Sequence, residues 1–391
     1  MKERGARRDR LEFAAHADSG GRPEGVNEHA AGSSTVCARA GPPNHFAGLI
    51  CSPRARHPST VLTAHFMFGF SPVRANPCPP FNLPMPIATS ELPPLRITLG
   101  ADVTGGFDAG LPVLAGETVE ALFGTARPAG RVGSLALFQA EAWLIGAATV
   151  PLAAGLEAAA HQLYREILQA AQGRHLARIW NYVPAINEPG PGGLENYRLF
   201  CRGRSLAFEQ HCGRGFKAQL PSASAVGSKS AALTVVFAAC PTLPRHVENP
   251  LQVPAYNYPS DYGPRAPSFS RATVVAGPEH ATVFISGTAA IRGHASVAPQ
   301  NLRSQLACTL ENLAGISAAC GLGPELDRGG RAARHFKVYL RHAADLPVVA
   351  ATLAERLLAA TDQVSYLQAD LCRAPLLVEI EATLFGANPR P

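Results

Sequence analysis

One order of predicted elements occurs twice in this 391-residue chain, and that duplication limits the fold more than any other feature. In the second copy a strand pair is predicted at residues 270–275 and 281–286, and a long helix at 297–320. A strand from His335 (HFKVYL) and a helix over 348–360 follow, and a closing strand runs over 376–385. In the first copy, paired strands are expected within 131–150, an amphipathic helix over 156–172 and a strand over 176–186. A helix over 194–210 and a strand ending at Cys240 complete it. The helix at 156–172 sets Leu156, Ala160, Leu163, Ile167 and Leu168 on one side. Two such units define an α+β chain of two sheet-and-helix halves, residues 95–245 and 246–391.

The closing strand carries the first chemical signal. With a side-chain period of two, Leu376, Val378, Ile380 and Ala382 take one face, and Leu377, Glu379, Glu381 and Thr383 take the other. Two carboxyls thus share one side of an apolar strand, where they need a cation, a proton or a substrate. The corresponding strand of the first copy reads LTVVFA where the second reads VEIEA, so the acids belong to one copy only. Duplication normally preserves core residues, and a polar change confined to one copy points to a site.

Composition narrows the function. The chain is 47% hydrophobic and 16% charged, which describes a core-forming globular protein. A net charge of +6 without a dense Lys/Arg patch interleaved with aromatics argues against nucleic acid. Nine cysteines, an odd number with no CxxC pair, fit reduced thiols in a cytoplasmic protein without structural zinc. The charged opening MKERGARRDRLEF lacks the apolar core of a secretory signal, and no apolar run is long enough for a bilayer. Residues 1–94, rich in Pro, Gly, Ser, His and Arg, are expected to be disordered or loosely attached, with Met67 and Met85 as possible later starts.

The segments RATVV, TVFISGTAAI, NLRSQLACTLENL, FKVYLRHAADLPVV and LLVEIEAT, in that order from Arg271, resemble the RidA/YjgF/chorismate-mutase-like fold. Two longer motifs are more specific. NPLQVPAYNYPSDYGPRAPSFSRA and IWNYVPAINEPGPGGLENYRLFCRGRSLAFE resemble the chorismatases, RidA-like enzymes that remove pyruvate from chorismate. The resemblance implies that Glu379 is the catalytic acid, with Glu381 in support. It implies that Tyr197, Arg204, Tyr258 and Arg271 bind the substrate, with Arg265 and Arg341 in reserve. Tyr197 and Arg204, seven apart on a predicted helix, point the same way. A site fed by both halves would lie at their junction.

The same resemblance separates a 3-hydroxybenzoate-forming branch from a hydrolytic one that yields a dihydroxycyclohexadiene carboxylate. Gly287, where the hydrolytic branch has alanine, and Cys372, seven residues before Glu379, match the former. Taken alone, Gly287 reads equally as a strand bulge and Cys372 as a small buried hydrophobe. The implied reaction is intramolecular, needs no metal or organic cofactor, and gives 3-hydroxybenzoate and pyruvate, with 4-hydroxybenzoate as a second product. A RidA-like imine hydrolase is the alternative enzyme. Val364 stands where that group carries its carboxylate-binding arginine, which argues against it. A non-catalytic binding protein on the same fold is the third reading. Single RidA domains are usually homotrimers, and a duplicated chain leaves its oligomeric state open.

Overall fold

In the computed structural model, residues 94–99, 106–123 and 126–390 are described. The expectation for the N-terminal tail lies outside the described residues, apart from Pro94. The elements run β1 (Pro94–Leu99), β2 (Phe107–Gly116), β3 (Val119–Leu122), β4 (Arg127–Val132), β5 (Leu135–Ala140), β6 (Trp143–Val150), α1 (Leu156–Ala170), β7 (His175–Pro184), α2 (Asn196–Cys212), β8 (Ser222–Ser228) and β9 (Leu233–Cys240). They continue with β10 (Arg245–Val247), β11 (Ala272–Ala276), β12 (Ala281–Ala289), β13 (Ile291–Arg292), β14 (Ala295–Ser296), α3 (Leu302–Ala319), the one-turn α4 (Pro324–Asp327), β15 (Ala333–Leu340), α5 (Leu346–Arg356), β16 (Gln363–Gln368) and β17 (Val378–Ala387).

The duplication is visible in strand order. One sheet runs β4-β5-β6-β9-β7-β8, and within the nine-stranded sheet the run β11-β12-β17-β15-β16 repeats the last five places of the first. In both sheets the strands joined across a helix, β7 with β8 over α2 and β15 with β16 over α5, are parallel. A parallel pair requires such a crossover, so the strand-helix-strand order in the sequence carries through to the sheet.

Residues 94–122 depart from the expected division of the halves. β2 pairs antiparallel with β16, Tyr366 opposite Ala115, and β1 and β3 extend the same edge. The second sheet thereby gains three strands from the N-terminal side, and β16 is not left as an edge open to another chain. Two smaller departures have local causes. α3 starts at Leu302 because the Asn301 side chain caps it, accepting from the Ser304 amide at 3.0 Å. β8 (SASAVGS) is a buried strand of small residues that strand propensity does not single out.

The sheets lie face to face, with helices outside. One core cluster, including Ile97, Trp180, Tyr182, Phe284, Tyr339 and Leu376, draws on both sheets. A second packs α1 and α2 on the first sheet, and a third packs α3 and α5 on the second. Gly203 sets α2 against α1, since a Cβ there would lie 2.3 Å from the Glu157 carbonyl oxygen. The inner faces of β7 and β17 therefore confront each other. Among the described residues no helix is long and apolar enough to cross a membrane.

Candidate active site

β17 runs between β12 and β15, with Glu379 opposite Ala289 on one side and Tyr339 on the other, and Glu381 opposite Lys337. Its central place buries both carboxyls: Glu379 is 3% exposed and Glu381 2%. Their surroundings differ. Glu381 meets Lys337 Nζ at 2.9 Å, Arg178 Nη2 at 2.8 Å and Trp180 Nε1 at 2.9 Å. Burial alone would raise its carboxyl, but the Lys337 and Arg178 charges and a Ser224 hydrogen bond outweigh that and hold it at about 2. Glu379 has no such clamp. Its near polar neighbour is Cys372, with Sγ 4.0 Å from Oε2. Burial, then the Glu381 charge, push Glu379 up to about 8, against the opposing pull of Arg178 and Arg271. Two acids one pleat apart thus differ in charge near neutral pH, the pattern that separates acid from anion in catalytic pairs.

Of the other residues named from the sequence, Gly287, Cys372 and Arg271 adjoin Glu379, Tyr258 is bound to Arg271 and Tyr197 lies near Cys372, whereas Arg204 sits among Tyr164, Tyr197 and Cys201. β12 breaks register between Ile285 and Thr288, so Gly287 sits in a bulge. A Cβ on Gly287 would lie 2.0 Å from Glu379 Oε1 and 2.8 Å from its Cδ. Bulge and site are therefore one feature. Cys372, in the segment leading into β17, keeps its proton, since burial and then the Glu379 charge push its thiol up to about 12. Tyr197 and Arg204 both face inward from α2, with Arg204 only 1% exposed. Burial lifts the Tyr197 hydroxyl well above its usual range, with Cys201 and Cys372 adding to that and Arg204 opposing it, which ties α2 to Cys372. Arg271 donates to the Tyr258 hydroxyl at 2.6 Å and lies near enough to act on both Glu379 and Cys372. Nε of Arg204 and Nε of Arg271 are buried without a hydrogen-bond partner.

The two reserve arginines stand elsewhere. Arg265 pairs with Glu209 at 2.6 Å near the surface. Arg341 ties down the segment before β17, donating to the carbonyls of Leu376 and Arg373 and to Asp370 and Asn187. It shapes the loop that carries Cys372. A cavity of about 640 Å³ is bordered by Arg174, His175, His211 and His246, and none of the seven named site residues lines it.

Sequence reasoning missed Arg178, Trp180 and Lys337. A signal was present: FKVYL sets Lys337 and Tyr339 on one face of a strand, and RIWNY sets Arg178, Trp180 and Tyr182 on one face of its counterpart. The registers match, because Tyr182 lies opposite Thr234 and Trp180 opposite Val236, as Tyr339 and Lys337 lie opposite Glu379 and Glu381.

A duplicated α+β fold encloses a buried acid between its two sheets, and comparison with known proteins identifies the family. Residues 123–239 match the family model described as chorismatase FkbO/Hyg5-like, N-terminal. The chain is 39% identical over 236 residues to 3-hydroxybenzoate synthase of Streptomyces hygroscopicus, spanning 58% of this chain and 68% of that protein. It is 38% identical over 253 residues to a chorismatase of Streptomyces rapamycinicus, spanning 62% of this chain and 74% of that protein. A chorismatase crystal structure superposes with a TM-score of 0.63 at 29% identity, over 76% of this chain and 94% of that one. The chain belongs to the chorismatase family.

Proposed function

We propose that the protein converts chorismate to 3-hydroxybenzoate and pyruvate, with Glu379 as the general acid. The observation that carries this reading is the division of labour between Glu379, buried and protonated, and Glu381, buried and ionised. An enol ether needs a proton before it will leave, and a carboxylic acid that keeps its proton near neutral pH is suited to supply it. Glu379 protonates the enolpyruvyl methylene carbon, and the neighbouring ring hydroxyl attacks the carbon bearing the ether. The ring C–O bond breaks, its electron pair leaving with the side chain as pyruvate, and the hydroxyl proton returns to Glu379. The arene oxide so formed opens and rearomatises to 3-hydroxybenzoate. Atoms balance without water or an oxidant. Arg271 with Tyr258, and Arg204 with Tyr197, supply donors for the two carboxylates, since planar guanidinium forks suit that group.

Cys372 acts once the arene oxide has formed. Its Sγ lies 4.0 Å from Glu379 Oε2, and its thiol, which keeps its proton, donates that proton to the epoxide oxygen as one ring C–O bond breaks. The thiolate left behind then takes the proton from the ring carbon that keeps the oxygen, and the ring rearomatises. Replacing Cys372 by Ala is expected to change the ratio of 3-hydroxybenzoate to other products while chorismate consumption persists. Chromatography of the products checks this, and an unchanged ratio would remove Cys372 from the product-determining step.

The direct test is incubation of purified protein with chorismate and identification of the aromatic product. The pH dependence has a definite sign. The acid is active when protonated, so kcat/KM is expected to be level on the acid side and to fall as pH rises through about 8. A profile that instead rises through that region would mean Glu379 works as a base.

A further inference from the structure

We infer that Glu381, Arg178 and Lys337 are positioning residues for the acid step: one strand from each sheet supplies a cation that fixes Glu381 as an anion beside Glu379, and the docked sheets thereby keep the acid loaded with its proton. The inference rests on the reading of Glu379 as the acid.

The geometry is specific. Lys337 reaches Glu381 from β15, the neighbouring strand of the same sheet, at 2.9 Å. Arg178 and Trp180 reach it from β7 in the facing sheet, at 2.8 and 2.9 Å. Both Glu381 oxygens are thus engaged by donors from two sides. Lys337 is itself held by Glu120 of β3 at 2.7 Å, and it lies near the Tyr182 hydroxyl at 3.4 Å. His335 Nδ1 lies 3.8 Å from Glu120. The groups acting on Glu379 are Glu381 on its own strand, Arg178 of β7, Arg271 ahead of β11 and Cys372 ahead of β17, with Tyr339 directly opposite on β15. The cations acting on this acid hold other partners through Nη2, Arg178 meeting Glu381 and Ser224 and Arg271 meeting Tyr258 and the Val253 carbonyl, while Arg178 Nε and Nη1 and Arg271 Nε are buried without a hydrogen-bond partner.

Stability alone is a weak reason for this arrangement. Buried ion pairs are often no better than apolar residues of equal size, because each charge must first be stripped of water. The first copy of the fold illustrates the apolar option, with Trp180 where the second has Lys337 and Val236 where it has Glu381. The charged version occurs in the copy that also replaces Thr234 by Glu379. Cation, anion and acid therefore occur together on one face of the second copy, which is intelligible if the anion serves the acid. Charge is the means, since a carboxylate a few ångströms away disfavours a second ionisation.

The test measures kcat/KM against pH for wild type, Glu381→Gln, the double variant Glu381→Gln/Lys337→Met, and Glu379→Gln. In Glu381→Gln the falling limb is expected to move down by roughly one to two pH units. Activity at pH 8 then drops more than about tenfold below the variant's own acid plateau. In the double variant one cation and one anion are lost together, and the limb is expected to return toward its wild-type place. A purely structural role would lower the plateau of each variant and leave the limb where it was, and that result overturns the inference. Activity retained by Glu379→Gln would instead refute the acid itself. If Glu381→Gln does not fold, Glu120→Gln decides: it releases Lys337 from one carboxylate and is expected to move the limb down by a smaller step, and an unmoved limb overturns the proposal.

Discussion

Glu379→Gln is expected to lose chorismate turnover by at least about a thousandfold while KM changes by only a few-fold, the signature of a group that acts in the transition state. Glutamine preserves the shape of a protonated glutamic acid and fits beside Gly287, so Arg271, Tyr258, Arg204 and Tyr197 keep their places. What it lacks is a transferable proton. Pyruvate release, followed by a coupled dehydrogenase, measures the loss, and full turnover would end the assignment. The same variant reports on stability with the opposite sign. Glu379 sits at about 8 in the fold, above the ordinary 4.5 that it takes when unfolded. Its contribution is therefore complete below about 4.5 and is lost as pH rises toward 8, because the unfolded chain releases that proton first. Glutamine has no such dependence, so the variant is expected to melt no lower than wild type at pH 8 to 9. Glu381, held at about 2, behaves in reverse: its contribution is present above 4.5 and lost as pH falls through 2. An active site that weakens the fold in its own working range is a familiar trade.

What was readable beforehand follows from the range over which each signal acts. The alternation of Val378 to Thr383 is local, so both acids and their common face could be placed from a period of two. The tandem order of strands and helices is a pattern along the chain, and the matching strand order of the two sheets reflects it. Pairing between distant strands has no such trace. The residues of β2 read as a strand, yet only the open edge of β16, some 250 positions on, determines which sheet they join. The ligands of Glu381 were hidden for the same reason. Arg178 lies 203 positions away and meets it only because two sheets stack. Lys337 was nearer to hand, a cation inside an apolar strand on the face that the acids also occupy. Of the residues named from the family motifs, Gly287, Glu379, Cys372 and Arg271 are brought together by β12, β17 and the loops ahead of β11 and β17, which the duplication pattern alone does not explain.

Gly287→Ala is expected to alter which product forms as well as how fast. The added Cβ would stand 2.0 Å from Glu379 Oε1, 2.8 Å from Cδ and 3.3 Å from the Ser224 Cβ. Contacts that short do not persist, so one partner must give way, and the carboxyl, at the end of a rotatable side chain, yields more readily than the strand backbone around it. The fold loses little. The acid is displaced by the order of an ångström, which costs a positioned proton transfer up to about a hundredfold. The direction of displacement matters too. Cys372 lies on the Oε2 side, so a carboxyl pushed away from Gly287 is driven toward the thiol and changes the contact that the arene oxide would meet. We therefore expect 3-hydroxybenzoate formation to fall by about ten- to a hundredfold and the share of dihydroxycyclohexadiene carboxylate to rise, because water gains access once intramolecular attack is slowed. Product chromatography at matched chorismate conversion reads the share, and thermal melting reads the fold. A Gly287→Ala variant with the wild-type product and rate would place Glu379 away from the reacting ether, since the acid could then move at no cost.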